Sequence, residues 1–274
     1  MIDTAAITEW RHRAPWALAE QIEQDLVLSR ALVDLFRDPF LAEELAFRGG
    51  TALHKLHLHP AGRYSEDLDF VQVRGVPIGP VLTAIRTAID PWLGPAKYKA
   101  GGGRATLLYR FASEGAEAVP MRLKIEINTR EHFAVLPHRR ETFTLDSRWY
   151  RGTVEIPTFA PEELLGTKLR ALYQRRKGRD VFDLDTALDR LPGLDLDGVV
   201  RCFQAYMSFG ETPVSRAEFE KNLAAKRVDR AFLTDVQPLL SVASATWDGA
   251  GALDRVLRGF VARLPGDPWA GDAP

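Results

Sequence analysis

Residues 45–70 read LAFRGGTALHKLHLHPAGRYSEDLDF, and the order of residue types within them sets the architecture. Leu45 to Arg48 is a short apolar run closed by Gly49-Gly50. From Thr51 the apolar residues resume helical spacing, with Thr51 placed to cap the new helix. After a polar loop from Gly62 to Glu66, Asp67 to Val73 alternates in character and predicts a second strand. Residues two apart in a strand share a face, so Asp67 and Asp69 project together while Leu68 and Phe70 go to the other side. Two carboxylates this close repel, and each tenfold change in acidity that results is worth about 1.4 kcal/mol. The pair needs a partner. That partner is a hard cation such as Mg²⁺, which takes one or two carboxylates plus phosphate oxygens, or a basic neighbour such as Arg48 or Arg63. A solvated strand face would also accommodate an isolated Asp-x-Asp. The glycine turn adds a second signal, because amide N–H groups at a helix N-terminus form a seat for phosphate.

Working outward, Leu18, Ile22, Leu26, Leu32 and Phe36 recur at helical spacing and predict an amphipathic helix from Pro15 to about Phe36. Gly101 to Gly103 marks a turn before a strand at Leu107 to Phe111. Arg122 to Asn128 alternates, with Leu123, Ile125 and Ile127 on one face and Lys124, Glu126 and Asn128 on the other. Glu126 is the candidate third acid for a metal-assisted transfer reaction; pairing with Lys124 is the competing reading. Past Pro157, Glu162–Arg176, Val181–Leu191, Leu196–Met207, Ala217–Lys226 and Leu253–Leu264 read as helices. The expected fold is α/β (α+β), with a mixed-sheet domain over 1–157 and a helical domain over 158–274. The Gly/Pro/Asp-rich tail after Pro265 is expected to fray.

The chain has 274 residues, 46% of them hydrophobic and 27% charged, enough for a sizeable core. No apolar run reaches the roughly 18 residues of a membrane span, and MIDTAAITEW lacks the order of a secretory signal, so a cytoplasmic protein with no membrane partner is expected. A single cysteine, Cys202, rules out an internal disulfide. Thirty-six basic against 37 acidic side chains give a net charge of −1, which conceals an uneven distribution. Between Lys97 and Arg179 there are 17 basic and 9 acidic residues. The densest part runs through Lys168, Arg170, Arg175, Arg176, Lys177 and Arg179.

Lys168 falls inside the apolar stripe formed by Leu164, Leu165, Leu169 and Leu172, so it must snorkel out, pair with an acid or line a cleft. After Gly178, Asp180 is placed as an N-cap and Asp183 at the capping-box position. His54, His57 and His59 cluster without enough ligands for a zinc site. Cys202 sits in an apolar stretch as a buried thiol, and no Walker-type loop is present.

FRGGTALHKLHLHPAGRYSEDLDF, residues 47–70, resembles the first motif of the polymerase-beta-like nucleotidyltransferases. The resemblance is greatest to the AbiEii group of toxins from toxin–antitoxin and phage-defence systems, which also carry a helical lysine followed by a basic stretch and an Asp-x-x-Asp pair. The resemblance implies an enzyme that transfers a nucleoside monophosphate from an NTP to RNA, at the tRNA 3′ end, blocking translation. It further implies a separately encoded antitoxin. Carried onto this chain, Asp67, Asp69 and Glu126 would bind Mg²⁺; Gly49, Gly50, Thr51 and Ser65 would seat the phosphates. Lys168 would contact the triphosphate, and Asp180 would be a functional acid. Two alternatives keep parts of this picture: a nucleotidyltransferase acting on a small molecule or a protein, and a catalytically silent RNA- or protein-binding module.

Overall fold

Strand Leu45–Arg48 (β1) is where the chain first enters its sheet, and three helices precede it: Thr4–Trp10 (α1), Ala19–Phe36 (α2) and Pro39–Glu44 (α3). A computed structural model describes residues 2–114 and 117–271. They divide into two compact units, one running to residue 134 and resuming at 138–159, the other made of 135–137 and the chain from 160 onward.

In the first unit, α2 starts four residues later than its pattern predicts and is less amphipathic than expected. Glu23, Gln24, Asp25 and Ser29 are buried along with its apolar residues. Each has a partner, as buried polar groups require. Asp25, for example, accepts from the Trp10 indole at 2.8 Å and pairs with Lys55 at 3.0 Å. After β1 come Gly49–Ala52 (α4), which runs into a π-helical turn over Leu53–His57, then Asp67–Gln72 (β2), Gly79–Leu93 (α5), Lys97–Gly101 (β3) and Arg104–Ala112 (β4). Pro120–Asn128 (β5), Arg139–Asp146 (β6) and Arg151–Thr158 (β7) complete a seven-stranded sheet of order β3-β4-β5-β2-β1-β7-β6. The sheet is mixed, since β2–β5 and β1–β7 pair in parallel and the other neighbours are antiparallel.

One face of β2, β4 and β5 is core: Leu68, Phe70, Ala105, Leu107, Tyr109, Leu123, Ile125 and Ile127 are buried, against α2 and α5. The period of two then forces Asp67, Asp69, Lys124 and Glu126 onto the opposite face. Several elements escape the sequence reading, among them β3, α5, β6 and β7. In β3 all five residues are exposed, so no alternation exists to detect. In α5 the helical pattern is broken by Pro91. In β6 and β7 the alternation rests on Phe143 with Leu145 and on Val154 with Ile156, flanked by long polar stretches.

The second unit is helical: Pro161–Gln174 (α6), Gly178–Arg190 (α7), Leu196–Phe209 (α8), Arg216–Arg227 (α9), Arg230–Thr234 (α10) and Gly249–Gly259 (α11). Helices α6 and α8 meet at Gly166, where an added Cβ would lie 2.7 Å from the Cys202 Cβ and 2.9 Å from the Phe203 amide. The buried Glu163 carboxylate ties the 135–137 segment into this unit, accepting from the Val135 and Leu136 amides and the Tyr206 hydroxyl, each at 2.8 Å. The tail is held where it is described. Pro265 accepts from the Arg216 amide, and the Trp269 amide donates to Glu220 at 2.7 Å, whereas the expectation of fraying for residues 272–274 lies outside the described residues. No described helix is long and apolar enough to cross a membrane.

Candidate active site

The glycine turn is built around two close approaches. Gly49 has φ +82°, and a Cβ there would lie 2.4 Å from Asp69 Oδ2; one on Gly50 would lie 2.3 Å from Arg63 Nη2. The turn therefore brings its backbone against the acidic strand on one side and the Arg63 guanidinium on the other. Gly49→Ala must adopt a left-handed conformation and displace Asp69, at a cost of about 1–3 kcal/mol for the backbone alone. Thermal melts should show a fall of several degrees, at roughly 2–4 °C per kcal/mol for a chain of this size. An alanine variant melting with the wild type would refute this packing.

Thr51 does not cap α4. The N-cap position is Arg48, without a side-chain cap bond, and Thr51 lies inside the helix. Its hydroxyl donates to the Asp67 carbonyl oxygen at 2.6 Å and lies 2.8 Å from the Ser65 hydroxyl, which can donate in return. The threonine thus links the glycine turn to the start of β2.

The parallel register of β2 and β5 sets Asp69 beside Glu126 and Asp67 beside Lys124. Lys124 Nζ lies 3.2 Å from Asp67 and 3.1 Å from Glu126, so Glu126 is paired with Lys124 while also standing beside Asp69. Burial disfavours the Lys124 charge, but Asp67 and Glu126 outweigh it and raise its pKa. Asp69 is pushed above the ordinary carboxylate value by burial first and then by Asp67 and Glu126, against the pull of Lys124 and Arg48. Negative charge here exceeds what the local cations neutralise. No three His, Cys, Asp or Glu groups among the described residues converge as a metal cluster. Mg²⁺ needs only one or two carboxylates when phosphate supplies the rest, so this hard-oxygen donor set with surplus charge fits it.

Sequence reasoning found Arg48 only as a possible partner of the acids and assigned no role to Glu131. Arg48 stands opposite Asp69 across β1–β2, and its guanidinium lies 3.4 Å from Glu131. Asn128 shapes that turn, accepting from the Arg130 and Glu131 amides at 2.9 and 3.0 Å and donating to the Glu131 carboxylate at 2.9 Å. The polar face of β5 thus supplies an acid at Glu126 and a support for Arg48 at Asn128. The available signal was position, since Arg48 immediately precedes the glycines.

Thr51 and Ser65 also line a cavity of about 500 Å³ in the first unit, with Arg13, Lys55, His54 and Arg63 among its polar walls. Trp16 lines it too, and its buried indole N–H has no hydrogen-bond partner. His54 and His59 border this cavity, while burial drives the pKa of His57 down to about 4.

The other sequence-derived residues belong to the second unit. Lys168 is buried, with Nζ 3.3 Å from Asp180 and 2.8 Å from Asp183, both fully buried. Of the three ways a lysine can occupy an apolar stripe, it takes the pairing with acids. Asp180 is not an N-cap and Asp183 not a capping-box residue: α7 begins two residues before Asp180, with Lys177 at the N-cap. The acids are needed at Lys168, and Arg175 adds a second cation to Asp180 at 2.7 Å. Burial would raise the Asp180 pKa, but Lys168 and Arg175 overcome it and hold the group below its ordinary 3.8. A depressed carboxylate pKa contributes stability above the unfolded value that is lost as pH falls through the folded one. The Tm loss between pH 5 and pH 3 should therefore shrink in Asp180→Asn. An equal loss in both proteins would contradict this linkage.

Most of the densest basic run is paired or stacked. Arg176 pairs with Asp229 at 3.0 Å, Lys177 lies 3.7 Å from Asp235, and Arg170 covers the Tyr206 ring. Cys202 is buried, and burial pushes its thiol up to about 12, the inert thiol expected from its setting.

The fold is shared with a protein of known structure. The nucleotidyltransferase toxin MenT4 of Mycobacterium tuberculosis H37Rv superposes with a TM-score of 0.70 at 20% identity, covering 97% of this chain and 92% of its own. An antigenic nucleotidyltransferase-like protein of Paracoccidioides brasiliensis, also 20% identical, covers 85% of this chain and 99% of its own with a TM-score of 0.43. No curated protein sequence matches the chain. A family model described as nucleotidyl transferase AbiEii toxin, type IV TA system, matches residues 30–255, a span holding the glycine turn, all three carboxylates and the Lys168 cluster. The chain belongs to the AbiEii nucleotidyltransferase toxin family of type IV toxin–antitoxin systems.

Proposed function

We propose that this toxin transfers a nucleoside monophosphate from an NTP to an RNA 3′ hydroxyl, with tRNA as the acceptor. The observation carrying the reading is the register that sets Asp69 beside Glu126, with Asp67 on the same face of β2 and a glycine turn pressed against Asp69. Mg²⁺, held by Asp67, Asp69 and Glu126, would neutralise phosphate charge and make the acceptor hydroxyl easier to deprotonate. Glu126, partly exposed at the end of the acidic row, is the group to take that proton. The amides of Gly49 and Gly50 and the hydroxyls of Thr51 and Ser65 bind the phosphates, and the adjoining cavity has the volume of a small-molecule site. The family resemblance assigns Lys168 to the triphosphate and Asp180 as a functional acid, and the two are paired at 3.3 Å.

The choice of RNA follows from the family resemblance of the glycine–aspartate block, and the family implies an antitoxin partner. Incubation with labelled NTPs, Mg²⁺ and total tRNA should place label on tRNA. Label appearing only on a small molecule or a protein would replace the acceptor, and no label on any acceptor would point to the silent binding module.

A further inference from the structure

The carboxylates stand at one end of a longer charged surface. Register places Asp69, Glu126, Thr106 and Lys99 in one row across β2, β5, β4 and β3, and Asp67, Lys124, Leu108 and Lys97 in the next. One step further along, Arg110 faces Arg122 directly. On the other side of the rows, Arg104 stands opposite Gly101 and Asn128. All these side chains lie on the face opposite the core. Over β3, β4, β5 and β2 the open face thus carries six cations, Lys97, Lys99, Arg104, Arg110, Arg122 and Lys124, while the acids Asp67, Asp69 and Glu126 of those strands are confined to β2 and β5.

Local structure does not account for this pattern. Lysines on the edge strand β3 protect an exposed edge from pairing with other strands. That reason does not extend to Arg104, Arg110 and Arg122, which sit on the inner strands β4 and β5. Like charges directly opposite each other, as at Arg110 and Arg122, destabilise a sheet. Three of the inner cations have acids within reach: Arg104 lies 3.5 Å from Glu126, Arg122 3.6 Å from Glu66, and Lys124 bridges Asp67 and Glu126. Lys97, Lys99 and Arg110 have uncharged or like-charged residues opposite: Leu108, Thr106 and Arg122.

We infer that this open face is the landing surface for the acceptor, and that it holds the phosphodiester backbone of a single-stranded RNA end. Three interstrand spacings, roughly 14 Å, separate the β3 lysines from the β2 aspartates. A strand crossing β3 and β4 over Lys97, Lys99 and Arg110 arrives with its terminal hydroxyl at Asp67, Asp69 and Glu126. Flat cationic tracks of this kind bind backbone without reading sequence. The inference rests on the RNA-acceptor reading of the same site and adds where that acceptor lies.

The test is binding of a short fluorescent single-stranded RNA with a free 3′ hydroxyl, by anisotropy across a salt series, to the full chain and to the triple variant K97A/K99A/R110A. Three lost phosphate contacts should lower the slope of log affinity against log salt by about 2 and weaken binding about 50-fold at physiological salt. The triple variant K97R/K99R/R110K should bind like wild type. NTP binding, read in parallel, should match wild type in both, and neither variant should melt below it. RNA binding by wild type with an unchanged slope in the alanine variant would overturn the landing surface and leave the RNA-acceptor reading standing, with an acidic protein the next partner to test on this face. Wild type with no affinity for RNA would overturn both.

Discussion

Asp69→Asn should melt at a higher temperature than the wild type and lose about a thousandfold or more of its transfer activity. The two effects share one cause. Asp69 is half-buried beside Asp67 and Glu126, and desolvation together with their charge raises its pKa, so its carboxylate is held at a cost to the folded protein. The amide removes that charge while keeping the shape. Each kcal/mol of repulsion relieved is worth roughly 2–4 °C in Tm. The same charge is what a cation and a polyphosphate would use, and in reactions driven by positioning and charge stabilisation such a group is worth orders of magnitude. An asparagine variant less stable than wild type would show that Asp69 is a structural acid satisfied by Arg48 and Lys124.

Lys168→Met should be the most destabilising single substitution in the second unit. It takes from the buried Asp180 and Asp183 the lysine they share, while Arg175 stays on Asp180. Breaking a buried pair by removing one partner costs about 3–5 kcal/mol, a Tm fall on the order of 10 °C. Adding Asp183→Asn should recover a large part of that loss by removing a buried negative charge that Lys168 no longer offsets. The double variant also separates structure from chemistry. Stability regained with transfer still absent assigns Lys168 to the phosphates; both regained together makes it a buried structural ion.

How much of this was legible depended on whether the sequence carried a periodic signal. The β1–glycine–helix–β2 block and β5 were readable because their burial alternates or breaks sharply, as at Leu68, Asp69 and Phe70. The acids could be placed on one face from the period alone, before any register was known. Their alignment with Glu126 could not, because it depends on β2 and β5 being parallel neighbours, a tertiary fact. The role of Thr51 was misread for a related reason: a hydroxyl after a glycine turn signals a cap locally, but here Asp67 and Ser65 fold back to meet it. Asp180 and Asp183 were likewise assigned to capping from their spacing, whereas their burial follows from Lys168 on another helix. The charge window was legible as a count, not as a location. In its densest stretch Lys168 and Arg175 pair with the nearby Asp180 and Asp183, and Arg176 and Lys177 with the distant Asp229 and Asp235, while the thinly spaced cations of β3, β4 and β5 gather on one open face.

The central claim is that the acids on the open sheet face serve nucleotidyl transfer, and labelling the same NTP at two positions tests it most directly. With Mg²⁺ and tRNA, label in the α-phosphate should move onto the RNA 3′ end and label in the γ-phosphate should leave as pyrophosphate, with neither movement in Asp69→Asn. Transfer of the γ-label to RNA or protein, or α-label transfer undiminished in Asp69→Asn, would contradict the account.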